Sequence, residues 1–192
     1  MNEDEDMRCM SLFLGVIFLQ ALVITGGGVV VHTARADVTF EGKLLDRPCR
    51  LDPATGIQDV VFQETPQHTF NTFPGRGYTE RFQVRLINCY DGTLGKLVTL
   101  TFHGAEESQL PGYLSVSGTN AGNLGIGVVD TDGKSLLKLN DIHNNRAGER
   151  VTGTELTLSF GAFVQSTPDA RAERRVVAGN YSATATFELN YN

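Results

Sequence analysis

The sequence is poor in the residues from which reactive sites are built. Beyond residue 36 it holds three histidines, His68, His103 and His143, and none has a second ligand at the helical spacing that a metal site needs. No Ser, His and Asp set and no nucleophile elbow can be picked out. Glu106 and Glu107 are adjacent, and neighbours on a strand or turn point apart rather than towards one substrate. Asp130-Thr131-Asp132-Gly133 opens like a calcium loop but lacks the later acids, which leaves a hairpin turn. Gly122, Gly125 and Gly127 have the wrong spacing for a dinucleotide loop and fit strand glycines beside close packing. Basic residues number 16 against 22 acidic ones, for a net charge of -6. No Lys/Arg cluster falls on any predicted element, which excludes a phosphate-backbone partner. The expectation is a protein without catalysis, cofactor, metal, nucleic acid or small-molecule substrate.

Long apolar runs are confined to the start. Met1 to Ala36 contains an apolar stretch from Met10 to Ile24, three glycines, a valine run and Ala34-Arg35-Ala36, the pattern of a secretory signal peptide with its small-residue cleavage site. Asn2 to Asp6 places four acids where a positive region belongs, so translation from Met7, followed by Arg8, is expected. An uncleaved membrane anchor is the alternative, since the total apolar length would nearly span a bilayer. Cleavage after residue 36 removes Cys9 and leaves Cys49 and Cys89, an even pair that suggests one disulfide in an exported protein. Closing a loop of that length would contribute roughly 4 kcal/mol in the chain-entropy model.

Amphipathic helical periodicity is scarce too. From Asp37 the apolar runs are short, alternate with polar residues, and are separated by Gly, Pro, Asn and Asp clusters, which predicts an all-β sandwich. Strands are expected at Leu44 to Leu51, Ile57 to Phe62, Arg81 to Asn88, Lys96 to His103, Leu124 to Asp130, Glu155 to Val164 and from Gly179 to the end. Gln67 to Tyr78 reads as a loop, and Ser166 to Arg175 as a loop or one helical turn. Cys89 falls on the wrong parity of its strand, which asks for a bulge or a position at the sheet's margin. No repeat or linker divides the chain after residue 36, and one domain's worth of residues remains.

The last strand is apolar on one face only. Tyr181, Ala183, Ala185, Phe187, Leu189 and Tyr191 share one parity, and the other carries Asn180, Ser182, Thr184, Thr186, Glu188 and Asn190. No later segment can pair beside it, and an open edge next to an apolar face needs a partner. At the other end, Asp37 to Leu44 is a short alternating segment without a local mate.

These features together resemble the subunits of chaperone-usher pili of Gram-negative bacteria. The resemblance is carried by Asp37 to Cys49 (DVTFEGKLLDRPC), Leu86-Ile87-Asn88-Cys89, Val98 to Gly104, Leu124 to Gly133, and Gly179 to Tyr191 with its glycine fourteen from the end and penultimate tyrosine. It implies an incomplete immunoglobulin-like sandwich that lacks its seventh strand and is completed by donor-strand exchange. On that reading residues 1–36 are the signal peptide, 37–44 the donor arm and 45–192 the pilin domain. Val38, Phe40 and Leu44 would enter a neighbour's pockets, with Gly42 where no side chain fits. Gly179, Tyr181, Ala183, Ala185, Phe187, Leu189 and Tyr191 would line the acceptor groove, and Asn192 would present its carboxylate to the chaperone. The implied partners are a periplasmic chaperone, an outer-membrane usher and neighbouring subunits. The implied location is the cell-surface fimbrium, and the implied role that of a structural tip adaptor, with a fibre-terminating subunit as the alternative and a secreted carbohydrate-binding module as a remote one.

Overall fold

A computed structural model of the protein describes residues 48–192. The expected leader, the arm residues Val38, Phe40, Gly42 and Leu44, and the boundaries at 36 and 44 lie outside the described residues. The strands are β1 (Arg50–Leu51), β2 (Arg76–Ile87), β3 (Leu97–His103), β4 (Leu114–Ser115), β5 (Ser117–Gly118), β6 (Leu124–Val129), β7 (Leu136–Leu137), β8 (Glu149–Arg150), β9 (Leu156–Ser166), β10 (Tyr181–Ser182) and β11 (Thr186–Tyr191). Short helical turns fill three connections: α1 (Pro53–Gly56), α2 (Gln67–Phe70) and α3 (Pro168–Ala172). The first is capped by the Asp52 carboxylate and the third by the Thr167 hydroxyl, each with proline at the start, as helix openings favour.

Two sheets face each other. One has the order β1-β2-β9-β6-β4 with β7 also on β6, and the other is β11-β3-β8; β10 and β5 form a separate two-stranded ribbon. Strands β2 and β9 form the longest pair, and their register sets Val84 opposite Leu158 and Phe82 opposite Phe160. Both apolar faces therefore point the same way, because strand side chains alternate with a period of two. On the far side of β9, Ile126 of β6 pairs with Val164 and Val128 with Ala162. The facing sheet contributes Val98, Leu100 and Phe102 from β3, all buried. At the centre, the Phe102 ring meets Phe160 edge-on at 5.2 Å and Phe82 at 6.0 Å between centroids, the arrangement aromatic quadrupoles favour.

The exceptions to simple alternation have local causes. Strand β2 ends at Ile87 because Asn88 takes a left-handed conformation, φ 52°. That turn brings Cys89 back to the interior, where it is bonded to Cys49 and its N–H donates to Thr154 O at 2.9 Å. Gly127 is needed for packing: a Cβ there would lie 2.6 Å from both the Phe163 and Tyr113 rings. Asp130 and Gly133 close a turn by Gly133 N–H to Asp130 O, 2.9 Å. The buried Asp130 carboxylate also accepts from the N–H groups of Thr131, Asn144 and Asn145, so this acid ties a turn to the 140–148 loop.

One expected boundary shifts and one expected strand goes unpaired. Strand β2 begins at Arg76 rather than Arg81, since Gly77 packs against the Phe70 ring and the polar Arg76 to Arg81 face needs no core. Ile57 to Phe62 alternates as expected, with Val60 and Phe62 packed on the core and Ile57 and Val61 exposed, but it makes no strand pairing among the described residues.

His143 is fully buried and locks the 140–148 loop to β3. Its N–H donates to Leu100 O at 3.0 Å, and its ring Nδ1 accepts from Leu100 N–H at 2.9 Å. Its Nε2 is buried with no hydrogen-bond partner. Burial pushes the imidazole pKa down, with Asp130 and Glu149 partly opposing. Above about pH 6.5 the ring is neutral in both states; below it the unfolded chain takes a proton that the folded one refuses. Stability therefore falls as pH drops from neutral towards the depressed folded-state pKa. His143→Asn, whose carbonyl can take the Leu100 N–H without titrating, is expected to flatten that slope, read as the urea midpoint against pH.

Candidate functional site

The last strand is where the sandwich is left open. Strand β11 pairs with β3 from Thr186 opposite His103 to Tyr191 opposite Val98. Asn192 and Leu97 exchange both backbone bonds, at 2.9 and 2.8 Å. In an antiparallel ladder such pairs alternate, so Thr186, Glu188 and Asn190 also bond to β3. Phe187, Leu189 and Tyr191 then turn their N–H and C=O groups to the opposite side, where no strand lies among the described residues. Leu100, opposite Leu189, spends its backbone groups on His143.

The side chains of the same three residues point inward. Phe187 and Leu189 pack against the main core, with the Phe187 ring 6.2 Å from Phe102, and Tyr191 packs beside the cystine. Each is only half-buried, as are Tyr181 and Ala183. Covering such a side chain completely would contribute of order 1 kcal/mol or more. Unpaired backbone and half-covered apolar groups lie on the same edge.

The other lip of the opening is the stretch from Cys49 to Phe62. Tyr191 Oη donates to Cys49 O at 3.3 Å at one end, and the Phe62 ring meets Tyr181 at 6.2 Å at the other. The two lips therefore run in opposite directions. Partial burial pushes the Tyr181 and Tyr191 phenols above the ordinary value, so both remain neutral donors. A cavity of about 560 Å³ opens at the Tyr181 end between residues 60–67 and 176–181, and a second of about 310 Å³ lies at the Tyr191 end beside Pro48.

The 176–178 wall of the larger cavity is held in place by three side chains that sequence reasoning did not single out. Asn71 brackets Val176, donating to its O at 2.8 Å and accepting from its N–H at 3.1 Å. Asn120, itself buried, brackets Val177 the same way at 2.9 and 3.1 Å. Gln67 accepts from the Ala178 N–H at 3.0 Å. Such clamps leave no periodic trace in a sequence; an asparagine in a loop signals only a turn.

Of the expected acceptor residues, Tyr181, Ala183, Phe187, Leu189 and Tyr191 lie along the opening. Gly179 has a packing reason, since a Cβ there would lie 2.5–2.9 Å from the Thr119 side chain. Ala185 departs from its parity partners: the chain between β10 and β11 is unpaired at 183–185, and Ala185 is exposed there. Asn192 is exposed at the end of the ladder. The other candidates are scattered: His68 lies in α2, His103 in β3 beside Asn140 and Glu188, and His143 in the core. Glu106 and Glu107 point apart, Glu106 accepting from Gly112 N–H and the buried Glu107 from Ser108 and Gln109.

The model of the Fimbrial protein family matches residues 38–192. The chain is 49% identical over 177 residues to fimbrial adapter PapK of Escherichia coli, covering 92% of this chain and 97% of that protein. It is 51% identical over 156 residues to protein PrsK of Escherichia coli, covering 81% and 88%. The fold is similar to that of the P pilus rod subunit PapA, with a TM-score of 0.63 at 22% identity over 76% of this chain and all of that one.

Gly179→Ala is expected to push β10 away from β5 and destabilise the protein by about 1–3 kcal/mol, the usual cost of overpacking. The shift in urea midpoint against Ala178→Gly, at the exposed neighbour, measures it.

Proposed function

The chain belongs to the fimbrial protein family and is a minor subunit of a chaperone-usher pilus, and we propose that within the fibre it is the tip adaptor that joins segments of different subunit type. The adaptor role is supported by the 49% identity to fimbrial adapter PapK, and a place within the fibre by the open edge of β11, with backbone groups of Phe187, Leu189 and Tyr191 facing outward and their side chains half-covered. Strand addition uses such an edge: main-chain bonds give affinity and alternate side chains entering pockets give selectivity.

The arm, Asp37 to Leu44, is the strand this subunit gives to its neighbour, with Val38, Phe40 and Leu44 as apolar anchors and Gly42 where the acceptor leaves no room. Three anchors at about 1.5–3 kcal/mol each set an upper bound of about 5–9 kcal/mol before ladder bonds and ordering costs. The groove, lined by Gly179, Tyr181, Ala183, Phe187, Leu189 and Tyr191, takes the arm of the next subunit. Ala183 is small and leaves space along the middle of the opening. Before assembly a periplasmic chaperone fills the groove and holds the carboxylate of Asn192, and an outer-membrane usher presides over the exchange. The route runs through the periplasm to the cell surface, and no step of it is catalysed by this chain.

The direction proposed for the incoming arm rests on the end of the sandwich at which Pro48 lies. Pro48, the first residue described, lines the cavity at the Tyr191 end, and on this reading the subunit's own arm leaves from there. An incoming arm antiparallel to β11 brings its owner to the Gly179 end, and both arms can coexist. A fibre-terminating role is disfavoured by the open cavity at the Gly179 end, which offers an entrance.

Deleting Asp37 to Leu44 is expected to leave chaperone binding intact and abolish donation to the next subunit; a truncated chain that still donates in a mixed-subunit assembly assay would contradict the arm. Tyr191→Ala removes a half-buried ring and its bond to Cys49 O. It is expected to weaken chaperone capture by about 2 kcal/mol, roughly thirty-fold in affinity, read as co-purification and periplasmic yield.

A further inference from the structure

Two apolar ends of the sandwich stand out from the open groove. Phe73 is 88% exposed and Val177 48% at one end, and Tyr90 is 49% and Leu94 43% exposed at the other. The separation is set by β2, whose 12 residues from Arg76 to Ile87 divide Phe73 from Tyr90 by about 40 Å at strand rise. Single exposed apolar residues need no explanation, but these are held rigidly. Pro74 O, next to Phe73, accepts from Gln165 Nε2 at 2.7 Å and Arg171 Nη1 at 3.2 Å, and Gly75 O accepts from Ser166 N–H at 2.8 Å. The Arg171 guanidinium lies 5.9 Å from the Phe73 ring centroid. Asn71 ties the same loop to Val176, and Asn120 fixes the Val177 backbone while its side chain stays outside. At the far end, a 3-10 turn at Asp91–Thr93 carries Tyr90 and Leu94 on either side, beside the cystine.

We propose that the Phe73–Val177 end is a second docking surface, taken by the body of the fimbrial subunit that donates its arm, through the apolar end next to that subunit's second cysteine. This rests on the strand-acceptor reading above. The occupant follows from continuity with the groove. Val177 lines the cavity at the groove's Gly179 end, and an antiparallel arm delivers its owner there. In this chain Pro48, the first residue described, is bonded to Cys49 and so tied to Cys89, Tyr90 and Leu94; a relative built likewise leads with the same end. The contact is head-to-tail, with different patches on the two partners, as an open fibre requires. A rigid aromatic anchor loses little entropy on docking. The arm then supplies attachment, and the end contact sets the angle between successive bodies.

The test uses assembled pili. Phe73→benzoylphenylalanine places a photo-reactive ring on the end patch, and Ser159→benzoylphenylalanine, on the exposed face of β9, is the control; Val177→benzoylphenylalanine gives a second reading. Hydrogen exchange over residues 186–192 reports separately whether an arm is paired with β11. The expected result is protection of 186–192 together with cross-links from Phe73 and Val177 to the residues following the neighbour's second cysteine, on the order of ten-fold above the control, as an anchor in a fixed contact implies. Protection with cross-linking no higher than at Ser159 overturns the end contact alone. Absence of protection overturns the strand-acceptor reading, and the end contact falls with it.

Discussion

Everything distinctive in this molecule depends on the unmatched edge of β11. Burying backbone N–H and C=O groups without partners costs free energy comparable to the bonds they forgo. Phe187, Leu189 and Tyr191 therefore cannot be both closed over by side chains and left unpaired. Covering them with a loop would sacrifice their hydrogen bonds; leaving them open sacrifices apolar burial. A strand satisfies both demands at once, which is why the edge selects an extended segment rather than a compact ligand.

An open edge is useful only if it does not collapse or drift. Strand β11 is fixed from behind by β3, and β3 is fixed in turn by the reciprocal bonds between Leu100 and His143. The Asp130 carboxylate holds the loop that carries His143. Beneath the edge, Phe82, Phe102 and Phe160 form a packed floor on which Phe187 rests. At its two ends the Cys49–Cys89 bond and the Asn71 and Asn120 clamps hold the lips in place. The chain thus concentrates rigidity around this open edge, so that a partner strand spends little free energy ordering the site it enters.

Much of this was legible in the residues, and the rest was hidden for identifiable reasons. The period-two runs at Phe82 to Leu86, Val98 to Phe102 and Leu156 to Val164 announced the central strands, because a half-buried strand leaves no choice about which positions are apolar. The one-sided last strand announced the open edge for the same reason. Short strands such as Leu114–Ser115 and Glu149–Arg150 were invisible, since two residues carry no period. The wrong parity of Cys89 was visible as a fault, but its cause, a left-handed Asn88, became plain only in the backbone. Ala185 followed the parity of its neighbours on paper and departs from it because the chain between β10 and β11 is unpaired. Val60 and Phe62 kept their alternation without any ladder, which suits a lip awaiting its partner strand. Asn71, Asn120 and Gln67 act through tertiary bonds to residues more than fifty positions away, and nothing local marks them.

The placement of Pro48 beside Tyr191 also constrains what kind of assembly such a subunit can build. A subunit whose giving and receiving ends coincided could only pair face to face and stop. On the proposed reading an arm that leads into Pro48 would depart from one end of the sandwich, and the larger cavity opens at the other. The interface is therefore between unlike surfaces, and unlike surfaces on opposite ends generate an unclosed series. An adaptor within that series needs no new fold. On the proposed reading it needs only that the pockets along Tyr181 to Tyr191 suit one neighbour's anchors, while Val38, Phe40 and Leu44 would suit another's. The two specificities would then sit on separate segments of the chain, so that each could change without disturbing the core that supports both.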